Sequence, residues 1–297
     1  MKTVRTVSEM RKLRREAQSA GLSTGLVPTM GFLHEGHLSL VRLASNHCDF
    51  VVVSIFVNPV QFGPGEDYAE YPRDEERDIG LCAKEGVDVV FIPDVPEMYC
   101  ENSSVYVDET SLSKGLCGAS RPGHFRGVAT VVAKLLNIVE PDTAVFGRKD
   151  AQQARIIQRM SRDLNFPVRI LLGDIVREPD GLAMSSRNRY LSKADRAKAV
   201  RLYCGLRRAE SLYNGGEHDV SVLKAAVTDE IKGGANGYDD DGQIEIDYVE
   251  VVDWATLNPV SGVVGPALIA AAVRVGETRL IDNIILGCLS ESSVSGD

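Results

Sequence analysis

The chain is 297 residues long, 44% hydrophobic and 25% charged, with a formal net charge of −9. This is the ordinary make-up of a soluble globular enzyme with one large core or two smaller ones, and the acidic balance excludes a basic nucleic-acid-binding face. No apolar run reaches the ~18 residues that would cross a bilayer, which also excludes a membrane partner.

Met1-Lys2-Thr3-Val4-Arg5 does not lead into an apolar stretch and cleavage site, so no secretory signal is expected. Arg11-Lys12-Leu13-Arg14-Arg15 reads as the solvated side of an N-terminal helix. Short apolar runs then alternate with helical patterns. Strands are expected at Gly25–Pro28, Phe50–Val57, Val87–Pro93, Thr143–Phe146 and Val168–Leu172. The run 50–57 is apolar on both faces, as a central parallel strand should be. Helices are expected over 36–47, 73–86, 125–139 and 150–164, with Gly86 and Asn165 placed to end two of them. The alternation predicts an α/β fold, a Rossmann-like doubly wound parallel sheet whose ligands sit beyond the carboxyl ends of its strands.

The character changes after residue 180. Helices are expected at Ser192–Tyr213 and Asp219–Lys232, on either side of Gly215-Gly216. Three β-like runs follow, Ile244–Val252, Ala267–Val275 and Leu280–Leu286. The expected organisation is a sheet domain over 1–180, a linker around Pro179–Asn188, a smaller C-terminal α+β domain over 181–290 and a flexible tail at 291–297. The loop 237–242 lacks calcium-loop spacing and reads as a solvated turn. Six cysteines, at 48, 82, 100, 117, 204 and 288, form no Cys-x-x-Cys pair; reduced, packed thiols in a cytoplasmic protein are expected.

Four segments after strands carry the chemistry. In Pro28-Thr29-Met30-Gly31-Phe32-Leu33-His34-Glu35-Gly36-His37, two histidines stand where a loop enters a helix, beside its free N–H groups and positive dipole end. That is a place to hold a phosphate. Alone, it also suits a capped helix with incidental histidines, and its spacing is not the His-Glu-x-x-His of zinc proteases. Asn58-Pro59-Val60-Gln61-Phe62-Gly63 offers neutral donors and acceptors suited to hydroxyls and a carboxylate, though taken alone it reads as an ordinary turn. Gly147-Arg148-Lys149-Asp150 opens a helix, with Gln153 one turn on from Lys149. Met184-Ser185-Ser186-Arg187 offers two hydroxyls and a guanidinium to a polyphosphate. With no Walker A or Gly-x-Gly-x-x-Gly sequence and no nucleophile elbow, the inventory suits attack on the α-phosphate of a nucleotide, where catalysis is positioning and electrostatics.

Taken together, these segments resemble the pantoate–β-alanine ligases, a family of the nucleotidylyltransferase superfamily with the His-x-Gly-His motif. The resemblance runs from Thr24 to Gly287 and is most specific at 28–37, 54–62, 71–73, 124–138, 147–153 and 180–191. It implies an ATP-dependent ligase: pantoate attacks the α-phosphate of ATP, and β-alanine then takes the pantoyl group from the adenylate, giving pantothenate, AMP and pyrophosphate. It assigns nucleotide and pantoate binding to 1–180 and implies Mg2+ and a homodimer. It further implies that Met30 to His37, Gly147 to Asp150, Val176 and Met184 to Arg187 bind ATP. Gln61 and Gln153 would hold pantoate, with Gln61 also near β-alanine. His34, His37, Lys149 and Arg187 are the expected catalytic groups. The family assigns His37 as proton donor, whereas the residues themselves favour hydrogen bonds or positive charge supplied to the phosphates. The pattern departs at Arg148 (usually glutamate), Ala151 (usually tyrosine) and Phe32 (usually alanine); Arg148 is expected to face solvent, the alternative being an inward side chain that strengthens polyphosphate binding. The C-terminal domain is expected to act as a lid. Two other readings stay open: a related enzyme that passes AMP to a phosphate, and a non-catalytic nucleotide-binding regulator.

Overall fold

The computed structural model describes residues 1–233 and 244–287. Its elements are β1 (Lys2–Val4), α1 (Val7–Ser19), β2 (Thr24–Thr29), α2 (Glu35–Ser45), β3 (Phe50–Ile55), α3 (Glu75–Lys84), β4 (Val89–Phe91), α4 (Val95–Met98), α5 (Cys117–Ser120), α6 (His124–Val139), β5 (Thr143–Gly147), α7 (Ala151–Asp163), β6 (Arg169–Gly173), α8 (Lys193–Asn214), α9 (Val220–Ile231), β7 (Glu245–Asp253), β8 (Ala267–Val275) and β9 (Thr278–Leu286). The expected strands and long helices are present, with ends moved by one or two residues. The expected turn at 237–242, the tail at 291–297 and Cys288 lie outside the described residues. The other five cysteines are free thiols: Cys48, Cys82 and Cys117 are packed as expected, whereas Cys100 and Cys204 are exposed.

Six strands form one parallel sheet in the order β1-β4-β3-β2-β5-β6. From β2 the chain steps outward through β3 to β4, then returns to place β5 on the other flank of β2. The order therefore reverses between β2 and β5, and their carboxyl ends open the crevice in which such sheets bind ligands. Val51, Val52 and Val53 are all buried, so β3 is covered on both faces as its continuous apolar run requires. One face packs on α1, α6 and α7 through Leu26, Val128, Leu136 and Ile156; the other packs on α2 and α3 through Val27, Val41 and Cys82.

The three remaining strands form an antiparallel sheet, β7-β8-β9. Its alternation puts Val249, Val251, Ile269 and Ala271 against Leu202, Leu206 and Leu223. The opposite face places Val252, Trp254, Leu268 and Ala270 in the core of the large sheet. The small sheet thus meets the large one through an apolar face as well as through the segment 179–188. The segment expected as a linker is itself folded: Arg177 bridges Ala183, Asn188 donates to Glu178 and to the Ala183 carbonyl, and Ser186–Tyr190 forms a 3-10 turn.

Two local expectations change. Residues 2–4 pair with β4, an edge strand too short and too exposed to show a pattern. Arg14 is not on a solvated face. It is 8% exposed and its Nε donates to the Glu140 carbonyl at 2.9 Å, capping α6 where Glu140 turns left-handed (φ 46°). Gly86 (φ 75°) and Asn165 (φ 55°) do stand in the left-handed conformation just beyond α3 and α7.

Candidate active site

Two joined cavities occupy the crevice beyond β2 and β5. The one of about 210 Å³ lies over the strand ends, and the one of about 460 Å³ lies between the large sheet and β9. Lys149, Asp150, Gln153, Ser185 and Arg187 line both. The seam between them therefore carries two cations, and a charged ligand spanning both cavities must pass there.

The histidine loop leaves β2 at Thr29. His34 is the N-cap of α2: its Nδ1 accepts the Gly36 N–H at 3.2 Å, and His37 Nδ1 accepts the His34 N–H at 3.3 Å. A ring nitrogen that accepts carries no proton, so both Nε2 atoms hold the N–H and are left to donate. The rings sit 4.1 Å apart at the cavity wall. Burial, with Lys149 nearby, pushes His34 down to about 4; burial, His34 and Lys149 hold His37 well below the ordinary imidazole range. Both are therefore neutral donors at pH 7, which narrows the expectation of hydrogen bonds or charge to hydrogen bonds in the unliganded site.

A buried acid shapes this loop. Asp78, 1% exposed on α3, accepts the N–H groups of Phe32 at 2.6 Å and Leu33 at 2.8 Å. It thereby holds Phe32 in a left-handed conformation (φ 50°) that a bulky residue otherwise avoids. Burial raises the Asp78 carboxyl, and the two N–H groups oppose that rise. Asp78→Ala is expected to cost about 1.5–3 kcal/mol, the range for hydrogen bonds to a charged acceptor, and to raise the KM for ATP. Urea unfolding and ATP saturation curves measure the two effects. The guanidinium groups of Arg77 and Arg189 both stack on the Phe32 ring, at 5.1 and 4.8 Å, tying the loop to the segment that carries Arg187.

Gln61 follows β3 on a 3-10 turn started by Asn58 and Pro59. Its Oε1 accepts from Asn58 Nδ2 at 3.2 Å and its Nε2 points at Met30 Sδ, 2.9 Å away. Asn58 also donates to the Gly127 carbonyl and accepts from Tyr99, so the turn is fixed against α6. Lys149 stands on a 3-10 turn, Arg148–Asp150, at the end of β5, with Gln153 in the first turn of α7. Arg187 forms a two-point pair with Asp67 at 2.8 and 2.7 Å. Burial disfavours its charge, but Asp67 outweighs that and raises its pKa. Ser186 meets the Tyr71 hydroxyl at 3.1 Å.

Of the expected site residues, Met30, His34, Gly36, His37, Gln61, Gly147, Lys149, Asp150, Gln153, Val176 and Met184 to Arg187 line the smaller cavity. Gly31, Phe32, Leu33, Glu35 and Arg148 stand off its wall. Leu33 is buried in the core, Glu35 pairs with Arg42 on the surface, and Arg148 pairs with Asp174. Arg148, expected in solvent, is instead half-buried between the ends of β5 and β6, and burial lowers its pKa. Ala151 is buried at 4%. Sequence reasoning missed Asp67, Asp78, Arg121 and His124. Arg121 forms a two-point pair with Glu66, and His124 donates its Nδ1 proton to the Gln61 carbonyl at 2.8 Å. A strand-end search reads the residues just after each strand: Asp67 lies further along the β3–α3 loop, Asp78 lies on α3, and Arg121 and His124 flank the start of α6.

A parallel sheet with neutral imidazoles at one strand end and a lysine at the neighbouring end is the arrangement of a nucleotide-binding enzyme of the α/β class. The sequence model of the Pantoate-beta-alanine ligase family matches residues 2–285. The chain is 54% identical over 288 residues to the pantothenate synthetase of Fervidobacterium nodosum, covering 97% of this chain and 100% of that one. It is 55% identical over 287 residues to that of Thermotoga petrophila, with the same coverage. The crystal structure of pantothenate synthetase from Thermus thermophilus superposes with a TM-score of 0.88 at 46% identity, over 96% of this chain and 99% of that one. The Francisella tularensis pantoate-beta-alanine ligase, solved with beta-gamma ATP and beta-alanine, superposes with a TM-score of 0.78 at 31% identity, over 96% and 97%. The chain belongs to the pantoate–β-alanine ligase family and is a ligase.

Proposed function

We propose that the two joined cavities carry out the ATP-dependent condensation of pantoate with β-alanine through a pantoyl adenylate. The observation that supports this best is the shared seam, where Lys149 and Arg187 stand between a chamber walled by neutral imidazoles and one open to a second substrate. Pantoate lies against Gln61 and Gln153, and its carboxylate oxygen attacks the α-phosphorus of ATP. The Nε2–H groups of His34 and His37 donate to phosphate oxygens while Lys149 and Arg187 hold the polyphosphate. The new bond is the mixed anhydride and the bond to pyrophosphate breaks. The β-alanine amine then attacks the activated carbonyl, AMP leaves and the amine gives up its proton.

Among the described residues no group of three or more His, Cys, Asp or Glu could cage a metal ion. Asp150, on the seam, is a carboxylate suited to a magnesium held chiefly by substrate phosphates. Such an ion would neutralise charge on the leaving pyrophosphate. The reduced thiols are consistent with a cytoplasmic location, and no described helix is long and apolar enough to cross a membrane. A homodimer is part of the same proposal.

One assay tests the reading: pyrophosphate and AMP are followed from ATP with and without pantoate and β-alanine. Pyrophosphate release is expected to require pantoate, and free AMP to require both acids. Pyrophosphate release that ignores pantoate would sink the ligase mechanism in favour of AMP transfer elsewhere, and ATP binding without turnover would favour a regulator.

A further inference from the structure

The two cations of the seam lie on separate segments, and both segments are held by one dipeptide of the small sheet, Asp282-Asn283 on β9. Asn283 is 4% exposed, and its side-chain amide donates to two successive carbonyls, Arg148 at 3.0 Å and Lys149 at 2.9 Å. These belong to the 3-10 turn that presents Lys149. Asp282 is 2% exposed and takes a two-point pair from Arg177, at 2.6 and 3.0 Å. Arg177 stacks on Tyr203 at 3.7 Å, donates to the Gly181 carbonyl and bridges Ala183, fixing the base of the hairpin that runs directly into Ser185 and Arg187. The two side chains are themselves locked together, because the Asn283 N–H donates to Asp282 Oδ1 at 2.8 Å. Buried groups with every donor matched hold geometry tightly, since each alternative leaves a polar atom unpaired.

We propose that Asp282 and Asn283 are positioning residues that set the spacing between Lys149 and Arg187 across the seam. The proposal rests on the reading of those cations as holders of the ATP phosphates. The small sheet, as it stands in this structure, then supplies the contacts that space the polyphosphate site. Displacing a charge by an ångström or so from where a transition state needs it costs up to ~10²-fold in rate; Asp282 and Asn283 also line the larger cavity, but the amide protons of Asn283 are spent on the turn.

The test compares the two half-reactions in wild type, Asn283→Ala, Asn283→Ser, Lys149→Ala and the double variant Lys149→Ala/Asn283→Ala. Adenylate formation from ATP and pantoate is expected to fall about tenfold or more in Asn283→Ala, while conversion of preformed pantoyl adenylate with β-alanine stays within about twofold. Asn283→Ser keeps a shorter donor and is expected to fall between. Where Lys149 is already alanine, removing Asn283 is expected to add nothing, because residues acting as one unit are not additive. An equal fall in both half-reactions, or a full additional loss in the double variant, would show a merely structural role and overturn the proposal. The ratio is read in the folded fraction, so reduced yield of a variant does not obscure it. Unchanged adenylate formation in Lys149→Ala would instead strike the reading of the cations, and the proposal with it.

Discussion

His37→Ala is expected to slow pantoyl-adenylate formation by ~10²–10³-fold, the loss seen when one donor aimed at a developing anion is removed. The second half-reaction should lose much less, since its developing charge is on the pantoyl carbonyl. The imidazole acts here as a neutral donor held by the α2 N-terminus: its Nδ1 is committed to the His34 main chain, and its Nε2–H is left to donate on a residue that lines the cavity. Single-turnover adenylate formation at the wild-type rate in the variant would remove the role. The same geometry fixes a pH dependence. His34 titrates at about 4 and His37 well below its ordinary range, both chiefly from burial, so kcat/KM for ATP should show no imidazole limb near pH 6.5. Stability should show one. Below pH 6.5 the unfolded chain takes up protons that folded His34, His37 and His124 refuse, the last also lowered to about 4 by burial and Arg121. Their contribution is thus intact above 6.5 and is lost as the pH falls from 6.5 toward 4. Thermal unfolding between pH 7.5 and 4.5 measures it.

Gly127→Ala is expected to damage the site from behind. Gly127 lies on α6 where the helix crosses the Asn58–Gln61 turn. A Cβ there would stand 2.5 Å from the Val60 carbonyl oxygen and 2.6 Å from the Gln61 N and Cα. These are main-chain atoms and cannot rotate away, so the turn must move. Overpacking of this kind costs about 1–3 kcal/mol. The turn also carries Gln61, so the KM for pantoate should rise, by up to ~10²-fold if the amide moves an ångström. Gly80→Ala is the control. Gly80 lies on α3, and a Cβ added there would meet nothing within 4 Å, so alanine should be neutral or stabilising by up to about 1 kcal/mol. Unfolding midpoints and pantoate saturation curves for the two variants separate packing damage from general helix effects. An unchanged pantoate KM in Gly127→Ala would show that the turn yields without carrying Gln61.

Much of this protein is local, and the local part was legible. The run at 50–57 could only be a buried strand, and the Thr24–Thr29 strand followed by a histidine N-cap could be read because strand, turn and helix start lie within fifteen residues. Lys149 and Arg187 stood out because charge after an apolar run is conspicuous. Asp78 did not: it sits in the first turn of α3, where an acid is ordinary, and only the fold shows it beneath Phe32 and Leu33. Arg14 looked like its neighbours at 11, 12 and 15 until α6 was placed beside it.

By itself, the sequence determined the alternation that makes the parallel sheet, the crevice at its strand ends and the residues that chemistry would place there. Periodicity and capping act over a few residues, so they are written in the chain's local order. Tertiary structure alone decided which groups meet: Arg187 with Asp67, His124 with the Gln61 carbonyl, and Asn283 with the turn of Lys149, the last pair 134 positions apart. It also decided protonation, because burial sets whether an imidazole is a cation or a neutral donor, and burial belongs to the packed molecule. The two histidines were visible from the start. That they donate hydrogen bonds without carrying charge follows only from where the fold puts them.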